Sequence, residues 1–216
     1  MVSGPSEVTL KNTDEAIARP RGGEKYDRIL EAAIEVVAEK GLQHARIADI
    51  ASRAGVADGT VYLYFDNKGH ILRAAIDAAF AQFSDRLKPT LADAHDPLEQ
   101  LKMIARLHVE TLVTRRNLAI ILQTQVRQSA KALEQFSHHS FVDYINLVRE
   151  VIRAGQQKGF IRPEISDRVA ALCLFGALDE MISSWLFTGK PIDPDHTATQ
   201  VLDILLNGVR VAPHHA

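Results

Sequence analysis

The segment Gly55-Val56-Ala57-Asp58-Gly59-Thr60-Val61-Tyr62-Leu63-Tyr64-Phe65, with Lys68 just beyond it, constrains the fold of this chain more than any other stretch. Upstream, Ile47, Ile50, Ala51 and Ala54 fall at helical spacing and give one apolar face. Gly55 is placed to stop that helix, because glycine enters the left-handed backbone region without a Cβ clash. A second short helix is then expected from about Asp58 to Phe65. Two helices joined by a three- or four-residue turn that holds glycine form a helix-turn-helix, the unit that lays its second helix against DNA.

At about 100° per residue, the second helix can be read face by face. Val61 and Phe65 share a side and should anchor it to the core. Gly59, Thr60 and Leu63 fall opposite, with Tyr62 and Tyr64 flanking the anchors. Gly59 lets another surface come close. The hydroxyls of Thr60, Tyr62 and Tyr64 and the ammonium of Lys68 are groups that reach phosphate oxygens. Lys68 should open the next helix, beside backbone amides that also attract anions. A short amphipathic helix in an ordinary bundle would share Val61 and Phe65, but has no need of an outward Gly-Thr-Tyr-Tyr face.

Asp49-Ile50-Ala51, Ala54-Gly55-Val56, Gly59-Thr60-Val61-Tyr62, Tyr64-Phe65 and Lys68 resemble the N-terminal DNA-binding domain of the TetR family of one-component repressors, over about residues 24 to 80. The resemblance implies an all-α fold: a three-helix reading domain over residues 23–68, then a connector helix and a ligand-binding and dimerisation domain over residues 69–212. It implies DNA contacts from Thr60, Tyr62, Tyr64 and Lys68, with Arg46, Gly59 and Leu63 at the same surface. Three positions depart from the family's usual string. Arg46 stands where Thr or Ser often caps the first motif helix, which loses a cap worth about 1 kcal/mol but puts a cation where a phosphate can lie. Ala57 replaces a frequent Ser, and Gly69 a frequent Glu.

Charge does not by itself favour nucleic acid. The chain carries a net charge of −2, and residues 24–68 hold six Lys and Arg against eight Asp and Glu. Arrangement partly resolves this. Asp27, Glu31 and Glu35 recur every four residues and form an acidic stripe that can face away from DNA, leaving Arg46, Arg53 and Lys68 near it. Few phosphate contacts, and a modest salt dependence, are expected.

Around the motif the chain reads as helices and loops. Residues 1–22 have no periodicity and read as a disordered tail, with Arg19-Pro20-Arg21 as a candidate minor-groove arm. The first helix is expected from Glu24 to Lys40, with Leu30, Ala33, Ile34 and Val37 buried and Gly41 ending it. A connector should span Lys68 to Leu87, ahead of Pro89. Asp96-Pro97-Leu98-Glu99 reads as a helix start, with a break at Arg115-Arg116-Asn117. Further helices are expected from Leu118 to Ser129 and from Lys131 to Lys158. Val169 to Phe187 is apolar on nearly every side, so one protomer need not bury all of it. A last helix should run from Pro194 to Leu206, stopped by Asn207-Gly208. The resemblance pairs the last two helices across a two-fold axis, implying a homodimer on a palindromic operator with half-sites about one turn apart.

The middle helices offer an apolar interior for a hydrophobic small molecule. The string from Ala54 to Phe65, with Asn117-Leu118-Ala119-Ile120, Arg127-Gln128-Ser129 and Phe175-Gly176-x-x-Asp179-Glu180, is similar to the TetR-type FadR fatty-acid-degradation repressors. That similarity implies a long-chain acyl-CoA as effector, with Gln123, Arg127, Phe141, Tyr144, Phe175 and Trp185 as candidate ligand residues. Arg115, Arg116, Arg127 or Lys131 would meet the CoA phosphates. A sensor of hydrophobic drugs controlling an efflux pump is the alternative. It would want aromatic faces and a buried carboxylate. The chain is only 6% aromatic, though Asp179-Glu180 lie in an apolar helix.

No catalytic residues, metal or cofactor are expected. The chain lacks a Gly-x-Ser-x-Gly elbow, a phosphate-cradling Gly loop and a Cys-x-x-Cys. His108-Val109-Glu110 has a deaminase-like spacing without the downstream Pro-Cys-x-x-Cys. His138-His139 and His214-His215 are adjacent, and neighbours on a helix diverge by about 100°. The single cysteine, Cys173, is expected to be inert packing and fits a cytoplasmic protein. No uninterrupted apolar run reaches the ~18 residues of a membrane span, so no membrane is expected as partner.

Overall fold

In the computed structural model of the protein, which describes residues 23–94, 96–126 and 138–209, every regular element among the described residues is helical. Helices α1 (Glu24–His44), α2 (Ile47–Ala54) and α3 (Asp58–Tyr64) form the reading head. Leu30, Ala33, Ile34 and Val37 bury the inner stripe of α1 against Ile50, Ala51 and Ala54 of α2 and Val61 of α3. Gly41 takes φ 74° and interrupts α1 where the sequence places its end, but the chain re-enters a last turn to His44. Gly55 takes φ 66° and ψ 39°, the left-handed cap the turn requires. Its N–H bonds back to Ser52 O, and the Val56 N–H reaches Ala51 O at 3.0 Å.

Helix α4 (Lys68–Asp93) runs past Pro89 instead of stopping before it. Proline removes one backbone donor and strains the preceding turn. Packing on both sides outweighs that loss here: Leu87 is fully buried and Leu91 packs on the core. The far end is tied down by Gln100, whose amide donates to Leu91 O and Ala94 O at 3.0 and 2.8 Å. Helix α5 (Pro97–Thr114) starts as its sequence specifies, with the Asp96 carboxylate accepting from Leu98 N–H at 2.9 Å and Pro97 in the first turn.

Arg115, at φ −108° and ψ 62°, breaks the helix before α6 (Arg116–Ile121). Within the described residues the expected continuation toward Ser129 leaves the α-helix after Ile121. It passes into one π-helical turn, Leu122–Val126, a local form often found at functional sites. Helix α7 (His138–Gln157), α8 (Asp167–Thr188) and α9 (Pro194–Val209) complete the C-terminal domain, the expected sensor. Asn207 and Gly208 do not stop α9, which continues to Val209. Arg19-Pro20-Arg21 and the rest of residues 1–22, Arg127, Gln128, Ser129 and Lys131 lie outside the described residues.

Helix α8 buries one stripe within the chain, including Ala170, Leu174, Leu178 and Ile182. Val169, Leu172, Met181 and Phe187 stay exposed, Phe187 at 90%. Cys173 is exposed too, contrary to its expected place in the packing; it lies on the outer side of a helix whose apolar residues do not all face one core. The same helix is long and apolar enough to cross a bilayer, with a mean hydropathy of 1.5 over 18 residues. The run-length expectation missed this because Asp179, Glu180, Ser183 and Ser184 interrupt the run without lowering its average far.

Two contacts clasp the reading head to the sensor. The Arg115 guanidinium donates to Glu31 Oε1 at 2.6 Å and to Gln82 Oε1 at 3.1 Å. From the π-turn, Gln125 Oε1 accepts from the Leu42 N–H at 3.4 Å.

Candidate functional site

Helix α3 is fixed from beneath and bare above. Val61 and Phe65 are 0% and 1% exposed, and Tyr26 stacks on Phe65 with centroids 5.2 Å apart. His70 closes the other side of that ring edge-on at 5.4 Å. With both anchors seated, Tyr62 and Leu63 project outward at 55% and 73% exposure. Gly59 is exposed beside them and Thr60 is half-buried. Tyr64 is half-buried because its ring meets Tyr26 edge-on at 5.8 Å. A Cβ built on Gly59 would meet nothing within 4 Å. The interior therefore gives no reason for glycine in this helix, where it costs up to about 1 kcal/mol relative to alanine. A close external surface would.

The cations near this face are arranged differently from the sequence expectation. Arg46 is exposed, and its lost hydroxyl cap is replaced from the other side: the Asp49 carboxylate accepts from the Arg46 N–H at 3.1 Å. Lys40, 3.0 Å from Asp49, helps hold that carboxyl below its usual range, together with this backbone bond. Arg53 does not stand ready for phosphate. It forks onto Glu39 at 2.9 and 3.0 Å and reaches Glu35 at 2.8 Å. Glu35 and Glu39 are one helical turn apart, so α1 presents both to α2. The hydrogen bond from Arg53 holds the Glu39 carboxyl low, and the two acids hold the guanidinium protonated. Lys68 likewise points inward. Its ammonium donates to Gln43 O at 2.8 Å and Ala45 O at 3.1 Å, satisfying carbonyls left over at the end of α1. It positions α4 on the reading head.

Behind the head, the sensor encloses a cavity of about 490 Å³ between α4, α5, α7 and α8. Phe141, Tyr144 and Phe175 line it as the sequence reading proposes. Phe80 and Phe83 from α4 join them, so five of the chain's thirteen aromatic residues gather at one place. Phe175 is the hub: its ring lies 5.0 Å from Phe141, 6.0 Å from Tyr144 and 5.7 Å from His108.

Gln123 sits one layer back, donating to Asp179 Oδ1 at 2.7 Å and accepting from Ser183 Oγ at 2.8 Å. Trp185 is half-buried on the core and does not line the cavity. Arg115 is committed to Glu31, and Arg116 is exposed away from the lining. The cations that do line the cavity are Arg149 and Arg168. Arg149 is oriented by Asp167 at 2.9 Å and Asn146 at 3.0 Å. Arg153 reaches the same carboxylate at 2.7 Å, and these two guanidiniums hold Asp167 below its usual range. No sequence signal singled out this pair, because its members come from two helices and neither belongs to a motif.

His108 and Thr111 were also missed. Both are buried against the cavity. Burial alone pushes the His108 imidazole down to about 4. Tyr144 Oη lies 3.2 Å from its Nδ1, and burial, with the Asp179 charge second, raises the phenol.

Comparisons with known proteins agree with this layout. Residues 29–75 match the model for bacterial regulatory proteins of the tetR family, and residues 76–208 match that for the C-terminal region of YsiA-like proteins. The fatty acid metabolism regulator protein of Bacillus subtilis is 34% identical over 185 residues, spanning 86% of this chain and 95% of that one. The fatty acid degradation regulator FadR from Bacillus halodurans superposes with a TM-score of 0.82 at 35% identity, over 89% of this chain and all of that one. FadR from Bacillus subtilis, whose crystal structure is in complex with stearoyl-CoA, gives a TM-score of 0.80 at 31% identity, over 86% of this chain and all of that one.

Proposed function

Since the chain belongs to the TetR family of bacterial regulatory proteins, we propose that it is a transcriptional repressor released from its operator by a long-chain acyl-CoA, and that it controls genes of fatty-acid degradation. The amphiphilic cavity carries this reading: an aromatic interior with Arg149 and Arg168 on its lining. An acyl chain suits the interior, and guanidiniums suit the phosphates of CoA. The stearoyl-CoA complex of the Bacillus subtilis relative supports the same ligand class.

On the DNA side, Thr60, Tyr62 and Arg46 supply backbone contacts, while Gly59 and Leu63 form the surface of closest approach. Two copies are needed for specificity, since one seven-residue helix reads few bases. Exposed Val169, Leu172, Met181 and Phe187 on α8 and Ile204 on α9 offer a surface for the second copy. Filling the cavity acts on α4, which lines it with Phe80 and Phe83 and starts at Lys68 on the reading head. A coupling of about 1–3 kcal/mol lowers operator affinity roughly 5- to 150-fold.

A second reading, a sensor of cationic hydrophobic drugs, is favoured by two observations: the aromatic cluster of the cavity, and Asp179, which is buried and lines it. Its Oδ1 already accepts from Gln123, which weakens its claim on a ligand cation. Gel shifts on genomic fragments with and without hexadecanoyl-CoA, paired with thermal melts, test both. Ligand at 100 times its Kd stabilises by about 2.7 kcal/mol. Release and a raised Tm with hexadecanoyl-CoA are expected. A raised Tm with cationic dyes and none with acyl-CoAs would replace the first reading by the second.

A further inference from the structure

We propose that the cavity holds a seat for a carbonyl oxygen, made by His108 Nε2 and Thr111 Oγ1, and that the thioester carbonyl of the effector occupies it. The inference rests on the acyl-CoA reading above and assigns the point at which the acyl group is recognised.

His108 and Thr111 are three residues apart on α5, so both side chains face the same way. Each is only 8% exposed, and both line the cavity. Neither His108 Nε2 nor Thr111 Oγ1 has a hydrogen-bond partner among the described residues. Buried polar atoms in folded proteins are nearly always paired, so two unpaired atoms on one helix face mark a place for a polar group from outside the chain.

The chemistry of that group follows from the tautomer. Tyr144 Oη is 3.2 Å from His108 Nδ1. Among the described residues the Tyr144 hydroxyl has no other acceptor, so its proton is donated to Nδ1. A neutral imidazole carries one proton, which is then on Nε2. The Thr111 hydroxyl turns freely and donates as well. Two donors on one face call for an acceptor oxygen. The surroundings are Phe83, Phe141, Tyr144 and Phe175, with the Asp179 carboxylate on the same lining and held by Gln123, so that oxygen belongs to a molecule that is largely apolar beside it. A saturated acyl chain has no acceptor beyond its carbonyl.

Position fits the same atom. Phe175, whose ring touches His108, lies seven residues along α8 from Arg168, an exposed residue of the cavity lining. That is about 10 Å of helix. The seat is therefore set in from Arg168, where the junction of a CoA arm and its acyl chain would lie when the phosphates stay near Arg149 and Arg168.

The test compares hexadecanoyl-CoA with S-hexadecyl-CoA, a thioether of equal chain length in which the carbonyl is a methylene. Binding to the full chain is measured by competition against a fluorescent acyl-CoA. The wild type should prefer the thioester by about tenfold or more, as expected for two hydrogen bonds. Thr111→Val should shrink the ratio to a few-fold, and His108→Phe with Thr111→Val should bring it to one. The ratio is read within each protein, so a uniform loss of affinity cancels, and the wild-type ratio stands whether or not the double variant folds. Equal binding of both ligands by the wild type, or a preference that survives in the double variant, overturns the seat and leaves the acyl-CoA reading standing. Failure of both ligands to bind removes that reading and the seat together.

Discussion

Replacing Gly59 by alanine separates what the fold needs from what the operator needs. Gly59 lies in α3 with no positive φ, and an added Cβ would meet no atom within 4 Å. Alanine is the better helix former, and the gain near a helix start is about 0.5 kcal/mol. For a chain of this length that raises Tm by roughly 1–2 °C. At a docked surface the same methyl must displace backbone or sugar atoms of the duplex. Overpacking of one methyl typically costs about 1–3 kcal/mol, or roughly 5- to 150-fold in affinity. Thermal melts and fluorescence anisotropy on a labelled operator fragment give the two numbers on one sample. The expected result is a protein that melts higher and binds worse. A variant that melts higher and binds as before would show that duplex DNA does not approach α3 at Gly59, and the proposed docking face would have to move.

Four further outcomes follow. Lys68→Met should lower Tm, because two charge-assisted bonds to Gln43 O and Ala45 O are lost, about 1–3 kcal/mol in total; the slope of log affinity against log salt should hold, and a fall of about one unit would reveal a direct phosphate contact. Arg115→Ala should leave acyl-CoA affinity near wild type and reduce release from DNA by about 0.5–2 kcal/mol of coupling, since Arg115 bridges Glu31 and Gln82; unchanged release measured by titrating effector into the preformed complex would exclude this clasp as a route. Gly155→Ala should destabilise by about 0–2 kcal/mol, since overpacking of about 1–3 kcal/mol against Ile161 Cδ1 at 2.8 Å and Cγ1 at 3.1 Å is offset by up to about 1 kcal/mol of helix propensity; a denaturant midpoint above wild type would contradict the packing. His108, pushed down to about 4 from an ordinary 6.5, binds its proton more readily when unfolded, so its contribution to stability is full above about pH 6.5 and is lost toward pH 4 at about 1.4 kcal/mol per unit. The stability difference between wild type and His108→Phe should therefore shrink or reverse as pH falls from 7 to 5, and a pH-independent difference would mean the imidazole is not held neutral.

The reading head was legible because its chemistry is local. Gly55 needs a left-handed turn, and Val61 and Phe65 need one buried side; both demands are written in adjacent residues. The breaks were less legible because packing decides them. Pro89 sits within α4 since Leu87 and Leu91 hold the helix on either side, and no propensity argument weighs those contacts. The cavity was half legible. Phe141, Tyr144 and Phe175 stood out as large side chains on helices. Arg149, Arg168, His108 and Thr111 did not, since their meaning depends on which helices meet. An average of 6% aromatic residues argued against an aromatic pocket, yet an average says nothing of a cluster.

The acidic stripe on α1 changes meaning in the same way. Read as sequence, Asp27, Glu31 and Glu35 are a repelling face to be turned from DNA. In the fold, Glu35 with Glu39 neutralises Arg53 and ties α2 to α1, while Glu31 takes Arg115 from the sensor. These exposed pairs add little stability, since a surface ion pair contributes about 0–1 kcal/mol. Their use is geometric. Arg53, spent on α1, cannot serve as a phosphate contact without breaking three hydrogen bonds. Arg115 and Gln125 join the head to the helix-to-π junction. Leu118 of α6 and Leu122, the first residue of the π-turn, line the cavity itself. A ligand that presses on Leu118 and Leu122 therefore acts within a few residues of the groups that hold α1. Under the proposed release by acyl-CoA, such a short span would let a coupling of about 1–3 kcal/mol pass without long-range rearrangement, and the stripe would lie on the path from effector to operator.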